Sequence, residues 1–378
     1  MTYNVSYFIL IGAIILSALQ YSSIGIGGNN YILFRTLIIA LMGLLFLFNF
    51  RGIINSFVKN SFIKIHLGVT TLTTFCLILF WGMVGDVDFG IGRDLWISLT
   101  FLSIGYNFDF DEKKFLGLIY LFILSNTLAA FSLVAKFASG FVVEELYWDV
   151  PKNQIAPVFG IAFLLSLYFL FYKSRKVNWI LLLLSALLLL SIIVLRGRAV
   201  ILGCLICSFI FLFTRIRKNK YIILLPILLI PVIPYLYKLL IDSLFLNYDS
   251  TNINSLSSGR YNTYTEAFHF FVENPFFGQQ GQTTLNGGII HNYVLYALVS
   301  YGLMVSFFIL ILYFKYFKLV IKSMIKPKPL YYESGVFVFA LFMLVSLFEY
   351  TFPFGPGSAV FFPFLLLGFY IKKNEYAK

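Results

Sequence analysis

Apolar runs of about 17–25 residues, each long enough to cross the hydrocarbon core of a bilayer as a helix, recur along this chain. A soluble fold has no place for so much apolar surface. Of the 378 residues, 60% are hydrophobic and only 12% are charged, against about 45–50% and about 25% in ordinary globular domains. In lipid every backbone polar group must find its partner inside the protein, which makes the helix the spanning element for runs of this length. The expected fold is therefore an all-α polytopic membrane protein, one integral membrane domain over residues 1–378.

Twelve transmembrane helices are predicted, at about 5–21, 31–50, 62–82, 91–106, 115–139, 154–172, 177–195, 198–214, 221–241, 291–314, 331–351 and 357–371. Pro226, Pro231 and Pro234 are expected to kink the ninth. The first run has no basic residue before it and no small-residue cleavage pattern after it, so it reads as a span rather than a removable leader. No internal repeat halves the chain.

Basic residues set the orientation. With the N-terminus in the cytoplasm, 20 of the 28 lysines and arginines fall on the cytoplasmic side, grouped around 51–64, 113–114, 173–176, 215–220, 315–328 and 372–378. That asymmetry is the positive-inside pattern. It places both termini in the cytoplasm and one large loop, 242–290, on the outer face. The net charge of +12 then follows from insertion and from attraction to anionic lipid, with no nucleic-acid partner. Cys76, Cys204 and Cys207 all lie in apolar runs and read as packing residues.

Outer-face cations are the informative ones, because insertion does not call for them. Arg196 and Arg198 flank Gly197 in a very short turn between the seventh and eighth spans. A turn that short keeps both guanidiniums near the bilayer, where an unpaired charge is costly. They either snorkel to lipid headgroups or hold an anion, and for Arg198 the second reading is preferred.

Arg260 is another, and it sits in the large loop. Ser258 can cap a helix that stops at Pro275. At 100° per residue, Asn262, Glu266, His269 and Glu273 share one side, and Tyr261, Tyr264, Phe268, Phe271 and Val272 the other. Such an amphipathic helix suits a membrane surface or the mouth of a cavity. Arg260 falls at the edge of the aromatic side and needs an anionic partner there. His269, between carboxylates, reads as a solvated histidine. Gly278, Gly281, Gly287 and Gly288 permit tight turns and close backbone approach. His291 then opens the tenth span beside Asn292, near Tyr293 and Tyr296. Residue chemistry suits it equally to proton transfer and to a plain interfacial helix start.

Asp86 and Asp88 have the alternate spacing of a divalent-metal site, but Asp109 and Asp111 repeat it on the cytoplasmic side, where outer-face chemistry cannot use it. An acidic, aromatic outer loop at Glu144, Glu145, Tyr147, Trp148 and Asp149 either stacks on sugar rings or belongs to an aromatic belt. His66 reads as a satisfied packing histidine. There is no phosphate-binding Walker loop, no dinucleotide fingerprint and no HExxH zinc motif.

Taken in order, the outer-face features are Arg-x-x-x-Leu at 198–202, SSGR at 257–260, NPFFG at 274–278, and His291-Asn292 followed by Gly302. This set resembles the O-antigen ligase and polymerase superfamily, the Wzy/WaaL group of GT-C-type membrane glycosyltransferases. The resemblance is most specific over about 191–306; earlier in the chain it rests on hydropathy and span count. It implies an enzyme without metal or cofactor that transfers a glycan from undecaprenyl pyrophosphate to an acceptor hydroxyl, on the outer (periplasmic) face of the bacterial inner membrane. It implies that Arg198 and Arg260 hold the pyrophosphate and that His291 activates or orients the acceptor. Arg196, Tyr261, Tyr264, Asn292 and Tyr293 are candidate substrate contacts.

Two positions depart from the family pattern. Ligases of the group often continue after the glycine as GxxGTG, whereas this chain reads Gly302-Leu-Met-Val-Ser; Gln280 stands where a second loop glycine is usual. Both favour a repeat-unit polymerase, building O-antigen or capsule, over an O-antigen ligase with lipid A–core as acceptor. The expected partners are the lipid-linked donor and acceptor glycans, membrane lipids, and in the cell a chain-length regulator and a flippase. A third reading, a flippase for lipid-linked sugars, calls for repeated halves and ionisable residues near mid-membrane. Neither is evident in the sequence.

Overall fold

The computed structural model describes residues 2–26, 30–81, 89–108, 110–138, 152–170, 178–195, 197–216, 260–279, 284–285, 288–325, 333–355 and 357–375. Among these residues the regular secondary structure is helical apart from one pair of two-residue strands. The helices are α1 (Thr2–Gln20), α2 (Ser23–Ile26), α3 (Asn30–Phe48), α4 (Phe50–Lys59), α5 (Ser61–Trp81), α6 (Gly90–Asn107), α7 (Glu112–Ala138), α8 (Lys152–Leu170), α9 (Trp179–Val194), α10 (Arg198–Ile216), α11 (Arg260–Glu273), α12 (Tyr293–Ile325), α13 (Ser334–Val345) and α14 (Phe361–Glu375). The strands β1 (Thr284–Leu285) and β2 (Gly288–Ile289) pair antiparallel.

Five segments among the described residues are long and apolar enough to cross a membrane: Asn30–Phe48, Ser61–Leu79, Glu112–Lys136, Asn153–Leu170 and Tyr293–Ser323. Val5–Gln20, Trp179–Val194, Arg198–Phe211 and Ser334–Val345 are apolar but shorter. This is the make-up of a helical membrane protein. It also explains why α3 leaves Ile32, Leu33, Leu37, Leu44, Leu47 and Phe48 exposed, since lipid covers what water would not. The predicted ninth span, 221–241, lies outside the described residues, as does much of the 242–290 loop.

Residues 51–61, read from sequence as a connection, are largely the helix α4. Its buried side is Ile53 and Ser56, while Phe50, Ile54 and Val58 are exposed. The Asn60 side chain separates it from α5 by accepting a hydrogen bond from the Ile63 amide at 2.8 Å, a helix N-cap.

The helices group into two compact units. One comprises Met1–Phe48, Phe110–Asn247 and Ser323–Leu341. In it α1 packs on α3 and α7, and α8 packs on α9 and α10. At Gly160 of α8 an added methyl would lie 2.7 Å from Val200 of α10, the close approach that small residues allow between membrane helices.

The other unit comprises Asn49–Asp109, Tyr248–Lys322 and Phe342–Lys378. Here α6 and α14 cross so closely that a methyl on Gly105 would strike the Leu365 carbonyl, and one on Gly368 the Leu102 carbonyl. His66 of α5 is fully buried. Its Nδ1 pairs with the Tyr316 hydroxyl at 2.8 Å and its Nε2 with the Ser98 hydroxyl at 3.4 Å. It is a packing histidine with both nitrogens satisfied.

Candidate functional site

The site belongs to the second unit and is built on α11. That helix ends at Glu273, just ahead of Pro275, as the sequence predicts. Pro275 starts a turn in which the Gly278 amide donates to the Asn274 carbonyl at 3.0 Å. The turn docks onto a break in α12. Gly302, at φ 60° and ψ −177°, interrupts that helix. A break strands amides and carbonyls that a continuous helix would pair. The turn takes them up. Gln279 N–H donates to the Val299 carbonyl at 2.7 Å, Leu303 N–H to the Pro275 carbonyl at 2.8 Å, and Met304 N–H to the Phe276 carbonyl at 3.2 Å. The Ser306 hydroxyl donates to the Gly302 carbonyl. NPFFG and Gly302, far apart in sequence, are thus two halves of one joint.

That joint fixes α11 alongside the short first segment of α12, which carries His291 at its tip. The Asn292 side chain caps the segment, its Oδ1 accepting from the Leu295 amide at 3.0 Å while its Nδ2 donates to the Leu347 carbonyl at 3.0 Å. Tyr293 N–H donates to the Ser346 carbonyl at 2.9 Å. From the side of α11, the Tyr264 hydroxyl donates to the His291 carbonyl at 2.6 Å. The backbone of His291 is therefore held by α11 and its neighbours by the segment that follows α13.

The same segment supplies Glu349. Its carboxylate, with only 6% of the side chain exposed, spends one oxygen on each of two partners. Oε1 accepts from Arg260 Nη2 at 3.1 Å, and Oε2 pairs with His291 Nδ1 at 3.2 Å. Arg260 and His291 are more open, at 25% and 29%. Burying a carboxylate this deeply calls for such partners, since a charge left unpaired away from water is costly. The arrangement also fixes the ring. With Nδ1–H directed at Glu349, the imidazole presents Nε2 as an acceptor, and among the described residues nothing bonds to it. Burial raises the Tyr264 phenol above its usual range, the Arg260 guanidinium opposes that shift, and the Glu349 charge adds to it. Tyr264 therefore stays a proton donor to the His291 carbonyl well into alkaline pH.

The chain matches no protein-family model and no curated protein. Its own residues carry the reading of the site.

Of the sequence candidates, Arg260, Tyr264, His291 and Asn292 meet in this one constellation. Tyr293 lies next to it but is buried, stacked on Tyr313 at 5.9 Å and packed on Phe354. Tyr261 is exposed on α11, and so is His269. Arg198 is half-buried and opens α10 in the first unit. Arg196 lies outside the described residues, as do Asp86 and Asp88. No three His, Cys, Asp or Glu side chains gather into a metal site among the described residues.

Glu349 is the residue that sequence reasoning missed. It falls inside the predicted span 331–351, where Glu349, like Glu333 at the other end, is outweighed by the phenylalanines, leucines and valines between them and does not disturb a hydropathy window. The available signal was its presence there at all, because an ionisable side chain in an apolar span is usually functional.

Proposed function

We propose that this protein is a membrane glycosyltransferase that polymerises lipid-linked repeat units. It transfers the growing glycan from undecaprenyl pyrophosphate onto a hydroxyl of the next lipid-linked repeat, with inversion at the anomeric carbon, on the outer face of the bacterial inner membrane. The observation that supports this reading is the single carboxylate of Glu349 holding on its two oxygens the Arg260 guanidinium, a group suited to phosphate oxygens, and the His291 imidazole, a group suited to accept a proton.

The chemistry follows from those roles. The acceptor hydroxyl oxygen attacks the anomeric carbon of the donor and gives its proton to His291 Nε2. The bond from that carbon to the pyrophosphate oxygen breaks, and its electron pair leaves with undecaprenyl pyrophosphate. Negative charge builds on the leaving group, and Arg260, a planar fork of donors suited to phosphate oxygens, stabilises it where it develops. The donor is already activated, so no nucleotide is consumed. Glu349 fixes the imidazole and balances its charge once it is protonated. The outer-face motifs and their resemblance to the ligase and polymerase superfamily favour a glycan over other pyrophosphate-linked groups.

A deletion strain complemented with wild type, Arg198→Ala, Arg260→Ala, His291→Ala or Glu349→Ala tests the reading on glycan ladders. Loss of long chains with a single repeat still attached is the expected result. Loss of all attached glycan, with lipid-linked polymer accumulating, would instead make the protein a ligase. Wild-type ladders from Arg260→Ala and His291→Ala would end both readings.

A further inference from the structure

We infer that Glu349 is a counter-anion that competes with the substrate's pyrophosphate for Arg260, so that the empty site is held in a self-neutralised state and donor binding is coupled to the readiness of His291. The inference rests on the proposed reading of Arg260 as the pyrophosphate-binding group.

The geometry that points to it is the division of one carboxylate between two partners. Glu349 is buried and cannot turn to water, so its charge must be matched by groups at hand. Arg260 supplies that match through one N–H, Nη2, at 3.1 Å. A guanidinium has five N–H donors, and a quarter of this side chain is open to an incoming ligand. An anion arriving on the open side shares the guanidinium with Glu349, and two anions on one cation weaken each other's hold. As Arg260 moves towards the pyrophosphate, the Glu349 charge is left to the other partner it already touches, His291 Nδ1 at 3.2 Å. A carboxylate committed to the imidazolium favours the proton transfer that the acceptor hydroxyl requires. Without donor, Arg260 returns to Glu349 and the pull on His291 relaxes. Glu349 is thus a positioning residue whose effects on binding and on turnover have opposite sign. A residue that merely held the loop in place would change both in the same direction.

The test uses the full chain in nanodiscs of neutral lipid, with inorganic pyrophosphate as the probe by calorimetry and lipid-linked repeat units for turnover. Glu349→Gln keeps shape and removes charge. It should bind pyrophosphate roughly three- to tenfold more tightly, the range between an exposed pair and a charged hydrogen bond, while turnover falls about 100-fold. Glu349→Asp withdraws the carboxyl by about 1.5 Å, too far to serve both partners. It should show the same opposed pair of changes at smaller size, and it decides the matter should the Gln variant not accumulate. Pyrophosphate affinity that is unchanged or weaker in the folded Glu349 variants overturns the competition and leaves the proposed function standing. Arg260→Gln separates the two ideas. If it binds pyrophosphate as well as wild type does, Arg260 is no anion site, and the proposed reading falls together with this inference.

Discussion

Gly278 and Gly302 meet backbone to backbone, at φ 65° and φ 60°. A methyl on Gly278 would lie 2.5 Å from the Gly302 amide nitrogen, and one on Gly302 would strike the Phe276 carbonyl. Alanine at either place meets both an unfavourable φ and a backbone clash that no rotamer relieves. Gly302→Ala is expected to cost about 2–4 kcal/mol and to detach α11 from α12, with activity lost alongside. Gly68 of α5 has open space around it, so Gly68→Ala should be neutral or stabilising by about 0.5–1 kcal/mol. Thermal unfolding in detergent compares the two, and equal Tm values would show that the joint is not built as described.

His291 and Arg260 should separate in kinetics. His291→Ala removes the proposed proton acceptor and should lower kcat about 10²–10⁴-fold while pyrophosphate still binds. Arg260→Lys keeps a charge but loses the fork. It should weaken pyrophosphate binding and recover only a fraction of turnover. Single-turnover assays against calorimetry check both, and an unchanged single-turnover rate in His291→Ala would rule the histidine out as the proton acceptor.

Tyr264→Phe deletes one hydroxyl and leaves the ring. Loss of its bond to the His291 carbonyl should cost about 1 kcal/mol of stability and lower kcat several-fold with little change in KM. Its pH dependence has a definite sign. The folded phenol holds its proton more tightly than the unfolded one because burial raises it. That contribution to stability is complete below about pH 10, the ordinary tyrosine range, and is lost as pH rises through the raised folded value. Unfolding midpoints across alkaline pH should show a decline in wild type that is smaller in Tyr264→Phe.

On α11, Tyr261, Phe268 and Val272 form an exposed apolar edge, and the exposed Phe276 and Phe277 follow in the docked turn. These positions should touch acyl chains. A Trp at Phe268 should be quenched by lipids brominated near the headgroup, whereas a Trp at His269 should be quenched far less. Equal quenching would place the edge in water.

Sequence alone makes the helical membrane character plain, because period and length of apolar runs are read directly from it. Arg260 and His291 stand out for a related reason, as polar residues without an insertion role. Glu349 does not, since the property that matters is its proximity to both, and its neighbours in the chain are apolar. NPFFG and Gly302 are visible as motifs, but their reason for existing is an exchange of backbone hydrogen bonds between segments far apart in sequence, which neither composition nor periodicity reports. The Tyr264 hydroxyl has the same history. Its ring position on α11 is predictable, and its partner, a carbonyl of another segment, is not.

The break in α12 also works as a ruler. Between Asn292 and Gly302 the segment Tyr293–Tyr301 rises about 13 Å at about 1.5 Å per residue. It is fastened at its lower end by the 275–279 turn and at its upper end by the segment carrying Glu349. A helix does not stretch, so the His291 imidazole stands at one set height above the joint. On the proposed reading, an acceptor hydroxyl would have to come to that height to give up its proton, whatever the length of glycan trailing behind it.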